Sequence, residues 1–190
     1  MRRFVLAAVL LLCGSFEANA AKIALRIDQG ILNGETEDDV QVFKNIPFVA
    51  APVGVRRWRA PQTGPHWTGA RDATDFGPIC PQNPTQYAKD LKQSEDCLSL
   101  NVWSPNTTSS AKLPVMVWIY GGAFVTGGSA LQFYDGTDLA KRGVVIVTFN
   151  YRLGELGFFA HPALASEHTS DDATGNFGLL DQIAALKWVR

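Results

Sequence analysis

Two apolar runs, Val115-Met116-Val117-Trp118-Ile119-Tyr120 and Val144-Val145-Ile146-Val147-Thr148-Phe149, constrain this chain more than any other feature. Both are continuous and rich in β-branched residues. Such runs suit strands buried on both faces, the habit of a parallel sheet with helices on either side. The first run breaks into Gly121-Gly122-Ala123. Small residues there let backbone approach a ligand and leave main-chain N–H groups free to donate. Bare donors after a buried strand are what an oxyanion hole needs in acyl transfer. No Gly-x-Ser-x-Gly nucleophile turn occurs in the 190 residues, so part of a hydrolase site is present without the part that reacts.

The rest of the chain supplies a frame for those runs. Ile23 to Ile27, Gly30 to Leu32 and Val40 to Phe43 read as a small antiparallel meander, punctuated by Asp28-Gln29-Gly30 and Asn33-Gly34. Pro47 to Pro65 is dense in Pro, Gly and Arg and predicts a loop. Leu98 to Trp103 alternates as a half-buried strand does, and Pro105 to Lys112 reads as an exposed hairpin connection. Asn106-Thr107-Thr108 fits a glycosylation sequon, relevant in a eukaryotic secretory host. Gly178 to Arg190 reads as a helix whose apolar face carries Leu179, Ile183, Leu186 and Val189, broadened by Leu180, Ala184 and Trp188. It carries no stop signal, and a helix after a buried strand crosses over to a further parallel strand. The local pattern therefore predicts an N-terminal portion of something longer.

Met1-Arg2-Arg3 followed by Phe4 to Leu12 has the form of a basic n-region and short apolar h-region, with Ala18-Asn19-Ala20 placing cleavage after Ala20. The run is too short to span a bilayer core of about 30 Å. Residues 1–20 are thus expected to be a signal peptide and residues 21–190 a secreted or periplasmic product. Its removal takes Cys13 and leaves Cys80 and Cys97, which most simply pair in an oxidising compartment. With 46% hydrophobic and 18% charged residues the chain can build a core, and a net charge of -1 gives no reason to expect nucleic acid. His66, His161 and His168 stand at spacings that match no metal motif, so no metal is expected. Ser166-Glu167-His168 holds three triad side-chain types in a row, but adjacent residues cannot converge as a triad.

Several segments in order resemble the type-B carboxylesterase and cholinesterase family of α/β-hydrolases. They are Asn45 to Gly54 with Arg57-Trp58, Glu95 to Val102, Trp118 to Phe124, Asn150 to Gly154 with Gly157-Phe158, and the Gly175 to Val189 helix region. The resemblance covers residues 21–190 and implies an antiparallel start leading into a mostly parallel central sheet. It implies oxyanion donors at the Gly122 and Ala123 amides, with Gly121 permitting the turn. Ala123 stands where the family often has a third glycine. Cys80 and Cys97 fall on the family's first disulfide, while Arg57 with Glu95 and Arg152 with Asp181 resemble its buried ion pairs. Trp118 and Phe124 are expected to be packing groups around the pocket. The family's nucleophile would lie about 20 residues past Arg190, with its acid and histidine further on, so no catalytic residue is expected in this chain. The three histidines are accordingly expected on loops.

The resemblance implies hydrolysis of a small-molecule carboxylic ester through a serine acyl-enzyme, with no cofactor. The alternatives are a non-catalytic adhesion-type binding module that kept the fold, or a gene fragment without function. A downstream Gly-Glu-Ser-x-Gly marks the enzyme, a replaced serine marks the binder, and an in-frame transcript disposes of the fragment.

Overall fold

The computed structural model describes residues 21–105, 111–167 and 175–190. The expected leader at 1–20, the expected sequon at 106–108 and His168 lie outside the described residues. Strand β1 (Ala21–Ile27) pairs antiparallel with β2 (Gly30–Glu37), and β2 with β3 (Val40–Pro47). A short strand β4 (Ala70–Asp72) runs parallel beside β2. β3 pairs with β5 (Ser99–Pro105), β5 pairs antiparallel with β7 (Val145–Phe149), and β7 pairs parallel with β6 (Val115–Trp118). The sheet order is β1-β2-β3-β5-β7-β6. This is a mixed sheet with two parallel pairs, β2 with β4 and β6 with β7, and its antiparallel start is the one expected of an α/β-hydrolase.

Local chemistry explains the turns. Asp38 and Asp39 both take positive φ, the requirement of a two-residue hairpin turn that follows the strand twist. Asn33-Gly34, expected to punctuate the meander, instead lies inside β2. A Cβ on Gly34 would fall 2.4 Å from the Val42 carbonyl oxygen and against the Phe43 ring, so the glycine admits a close cross-strand approach. Asn45 takes φ +57° where the β3–β5 register shifts between Phe43 and Ile46. The bulge re-aims Ile46 into a core with Phe43, Leu100 and Phe149.

Three expectations need correction. Pro105 to Lys112 was read as a hairpin connection, but β5 and β6 do not pair, because β7 lies between them. β5 and β6 therefore sit two positions apart in the sheet. Second, β6 was expected to be buried on both faces. Only β7 flanks it among the described residues, and Val115, Met116 and Trp118 are exposed.

The third concerns the last helix. The short helices α1 (Thr137–Ala140), α2 (Gly154–Phe158) and α3 (Pro162–Glu167) precede α4 (Phe177–Val189). The buried face of α4 is Phe177, Gly178, Asp181 and Ala185, while Leu179, Ile183 and Leu186 look outward. The helix is apolar nearly all round, so periodicity alone does not select a face. An ion pair does. Asp181 is fully buried against Arg152, and this fixes the rotation of the helix.

Candidate active site

At Trp118 the chain leaves β6 and turns back on itself over residues 119–127. The Gly122 carbonyl accepts from the N–H groups of Val125 (3.0 Å) and Thr126 (3.1 Å), which closes the turn. Gly122 has φ +141°, and a Cβ there would lie 1.8 Å from the Thr126 carbonyl oxygen. No other residue fits. Ala123 and Phe124 follow at φ +52° and +63°, in the left-handed region that costs a residue with a Cβ roughly 1–2 kcal/mol. Gly121 has nothing within 4 Å of its ideal Cβ position, so steric crowding does not require glycine there.

Among the described residues, the N–H groups of Gly122 and Ala123 have no hydrogen-bond acceptor. They take no part in the β6–β7 ladder, which ends at Trp118 and Thr148. Ala123 lines an open depression of about 520 Å³ with Phe124, Gly154, Phe158 and Ala160. A larger hollow of about 950 Å³ lies along Leu180, Ile183 and Trp188 of α4 and does not include the turn. Of the two, the smaller depression is the relevant one, because Ala123 lines it.

The turn is held from below by two tyrosines. Tyr120 and Tyr151 leave the parallel strands β6 and β7 at equivalent places and stack with ring centroids 4.5 Å apart. Tyr151 Oη donates to the Tyr120 carbonyl at 2.8 Å, and Tyr120 Oη donates to the Tyr151 carbonyl at 3.2 Å. Burial pushes the Tyr120 hydroxyl well above the ordinary phenol range and raises that of Tyr151, so both remain donors at any physiological pH. The Gly154 N–H donates to the Phe124 carbonyl at 2.7 Å and holds the outer leg of the turn. Phe124 packs on Phe158 and Tyr151, and Trp118 packs on Tyr134.

A buried polar network continues beneath. Asn150 Oδ1 accepts from the Ser129 N–H (2.9 Å) and Oγ (3.0 Å), while Asn150 Nδ2 donates to the carbonyls of Pro78 and Cys97. Asn101 Nδ2 donates to Ser129 Oγ and Thr148 Oγ1. The loop after the turn is thus tied to β5, β7 and the segment carrying the disulfide. The sequence reading missed this network and the tyrosine pair. An asparagine or tyrosine at the end of an apolar strand was the available signal, since a buried polar group must find partners.

Cys80 and Cys97 form a disulfide 17 residues apart in sequence, and both are buried. Arg152 and Asp181 form a buried bidentate pair at 2.8 and 2.7 Å, and Asp181 Oδ2 also accepts the Arg152 N–H. Burial raises the Asp181 carboxyl above its usual range, with the Arg152 guanidinium opposing the shift. Arg57 meets Glu95 through Nε at 2.7 Å and through Nη2, but the side chains are 40% and 29% exposed. This second pair is therefore half-exposed where the resemblance implied a buried one. His66 Nδ1–H donates to the Asp28 carbonyl at 3.1 Å, and His161 Nδ1 accepts from the Ala163 N–H, both in exposed positions. Ser166 bonds within its own helix and Glu167 pairs with Arg59.

Residues 21–190 match the model of the carboxylesterase family. The chain is 48% identical over 171 residues to the fumonisin B1 esterase of Sphingopyxis macrogoltabida, covering 89% of this chain and 31% of that protein. It is 48% identical over 166 residues to the para-nitrobenzyl esterase of Bacillus subtilis, covering 85% and 33%. A solved para-nitrobenzyl esterase superposes with a TM-score of 0.78 at 43% identity, over 87% of this chain and 34% of that one. A Geobacillus stearothermophilus carboxylesterase gives 0.76 at 41% identity, over 87% and 33%. The chain thus spans about a third of the length of the curated relatives it matches.

Proposed function

This chain belongs to the carboxylesterase family, and on that premise we propose that residues 119–125 are the charge-stabilising half of an ester-hydrolysing site. The reading rests on one observation: the Gly122 and Ala123 amides sit on a strained turn beside a depression, with no acceptor among the described residues. In the proposed reaction a serine from the remainder of the whole protein attacks the carbonyl carbon of a small carboxylic ester. A histidine takes the serine proton and passes it to the departing alcohol, leaving an acyl-enzyme that water then cleaves. The two amides hold the oxyanion of each tetrahedral intermediate, and a third donor comes from the residue after the serine. No cofactor takes part.

The 190 residues contain no Gly-x-Ser-x-Gly turn, and in this reading they turn over no ester on their own. Purified residues 21–190 are expected to match a Gly122→Ala control on a short-chain nitrophenyl ester. Turnover abolished by a serine-directed organophosphate overturns that expectation. Export is proposed from Met1 to Ala20 and the disulfide; N-terminal sequencing of the secreted product is expected to start at Ala21.

The site itself is tested by a hybrid in which residues 21–190 replace the matching third of the Bacillus subtilis esterase. The hybrid is expected to hydrolyse a nitrophenyl ester. Gly122→Ala, which drives a Cβ onto the Thr126 carbonyl, is expected to lower kcat by about a hundredfold or more at similar KM. Unchanged kcat rejects the oxyanion assignment.

A further inference from the structure

Gln82 lies two residues after Cys80, inside the loop that the disulfide closes, and its side chain reaches across to the turn. Its Oε1 accepts from Thr126 Oγ1 at 2.7 Å and from the Gly127 N–H at 2.8 Å. Its Nε2 donates to the Gly127 carbonyl at 2.6 Å and to the Cys80 carbonyl at 3.1 Å. The side-chain amide therefore pairs with both main-chain groups of Gly127, as a residue of a neighbouring strand would. That double pairing also fixes the amide's orientation, because Gly127 presents one donor and one acceptor.

The grip is transmitted to the donors. Thr126 is the residue whose carbonyl packs against Gly122, and the Gly122 carbonyl accepts the Thr126 N–H. Gly127 packs on Tyr120 and on the Gly121 carbonyl, with an ideal Cβ falling 2.5 Å and 2.9 Å from them. The far leg of the turn, 126–127, thus lies directly on the near leg, 120–122. Gln82 is itself anchored: its N–H donates to Gln93 Oε1 at 2.9 Å, and Ile79 bridges to Gln93. We propose that Gln82 is a positioning residue for the oxyanion turn, clamping Thr126 and Gly127 so that the Gly122 and Ala123 amides stay aimed at the site. The functional half of this statement rests on the oxyanion reading above. The structural half does not.

Amide hydrogen exchange on the full chain tests the clamp. Gly127, Thr126 and Val125 are expected to be protected. Gln82→Ala is expected to speed exchange at Gly127 about tenfold, with Thr126 and Val125 following, while β5 and β7 keep their protection. Gln82→Glu supplies the same acceptor and donor only while its carboxyl is protonated, so it is expected to restore Gly127 protection at acid pH and lose it on ionisation. Unchanged Gly127 exchange in Gln82→Ala, a uniform loss across the sheet, or a pH-independent Gln82→Glu profile each overturns the clamp. In the hybrid esterase, Gln82→Ala is expected to lower kcat about tenfold with KM unchanged. If Gly122→Ala lowers kcat and Gln82→Ala does not, Gln82 has no positioning role and the oxyanion reading stands. If Gly122→Ala is silent, the oxyanion reading falls, and with it the functional role of Gln82.

Discussion

β6 and β7 are neighbouring parallel strands of similar composition, yet one is core and the other is surface. Met116 and Ile146 are register partners; Ile146 is 3% exposed and Met116 is 47% exposed. The difference comes from neighbours, not from the residues. β7 has β5 on one side and β6 on the other, with Trp103 and Ala140 packed near Ile146. β6 has β7 alone among the described residues. The same contrast runs along α4, where Asp181 and Ala185 face in and Leu179, Ile183 and Leu186 face out. An apolar pattern states what a strand or helix can tolerate, while the partners it meets decide what it buries.

The sharpest way to break this contrast is at the buried pair. Asp181→Ala strands the Arg152 guanidinium without a counter-charge and is expected to cost about 3–5 kcal/mol. Arg57→Ala, at the half-exposed pair, is expected to move the melting midpoint far less. Equal shifts in denaturant midpoints would remove the distinction. Next in size are the register partners themselves: Ile146→Ala is expected to cost roughly 2–5 kcal/mol and Met116→Ala about 0.5 kcal/mol or less. A Met116 loss as large as that of Ile146 would mean that β6 is covered in solution.

The disulfide bears on the buried side as well, and opening the Cys80–Cys97 loop is expected to lower stability by about 3 kcal/mol in a reductant titration. At the turn between the two regions, Ala123→Gly relieves a left-handed alanine and is expected to raise stability by about 1 kcal/mol. The smallest effect belongs to the exposed edge. Met116→Lys is expected to change stability by about 0.5 kcal/mol or less while reducing self-association in sedimentation, since a charge blunts an open strand edge.

How much was legible follows the same divide. The meander, β5, β7 and the existence of α4 follow from alternation, β-branched runs and length. The turn at Gly121-Gly122 is visible because only backbone freedom explains two glycines after an apolar run, although Gly122 proves to be the one that sterics require. The sheet order was not legible, because nothing local says that β7 lies between β5 and β6. The rotation of α4 was hidden because a single carboxylate, Asp181, outweighs three leucine-sized side chains in choosing the face. Gln82 was hidden too. Its partners lie 44 and 45 residues away, and a glutamine two residues after a cysteine carries no pattern of its own.

The central claim is that the Gly122 and Ala123 amides are donors kept free for an oxyanion. The direct measurement is the amide proton shift of both residues in the isotope-labelled hybrid, before and after a trifluoromethyl ketone adds to its serine. The account predicts that both resonances move strongly downfield together as the tetrahedral oxyanion forms. Covalent addition with both resonances unmoved would contradict it.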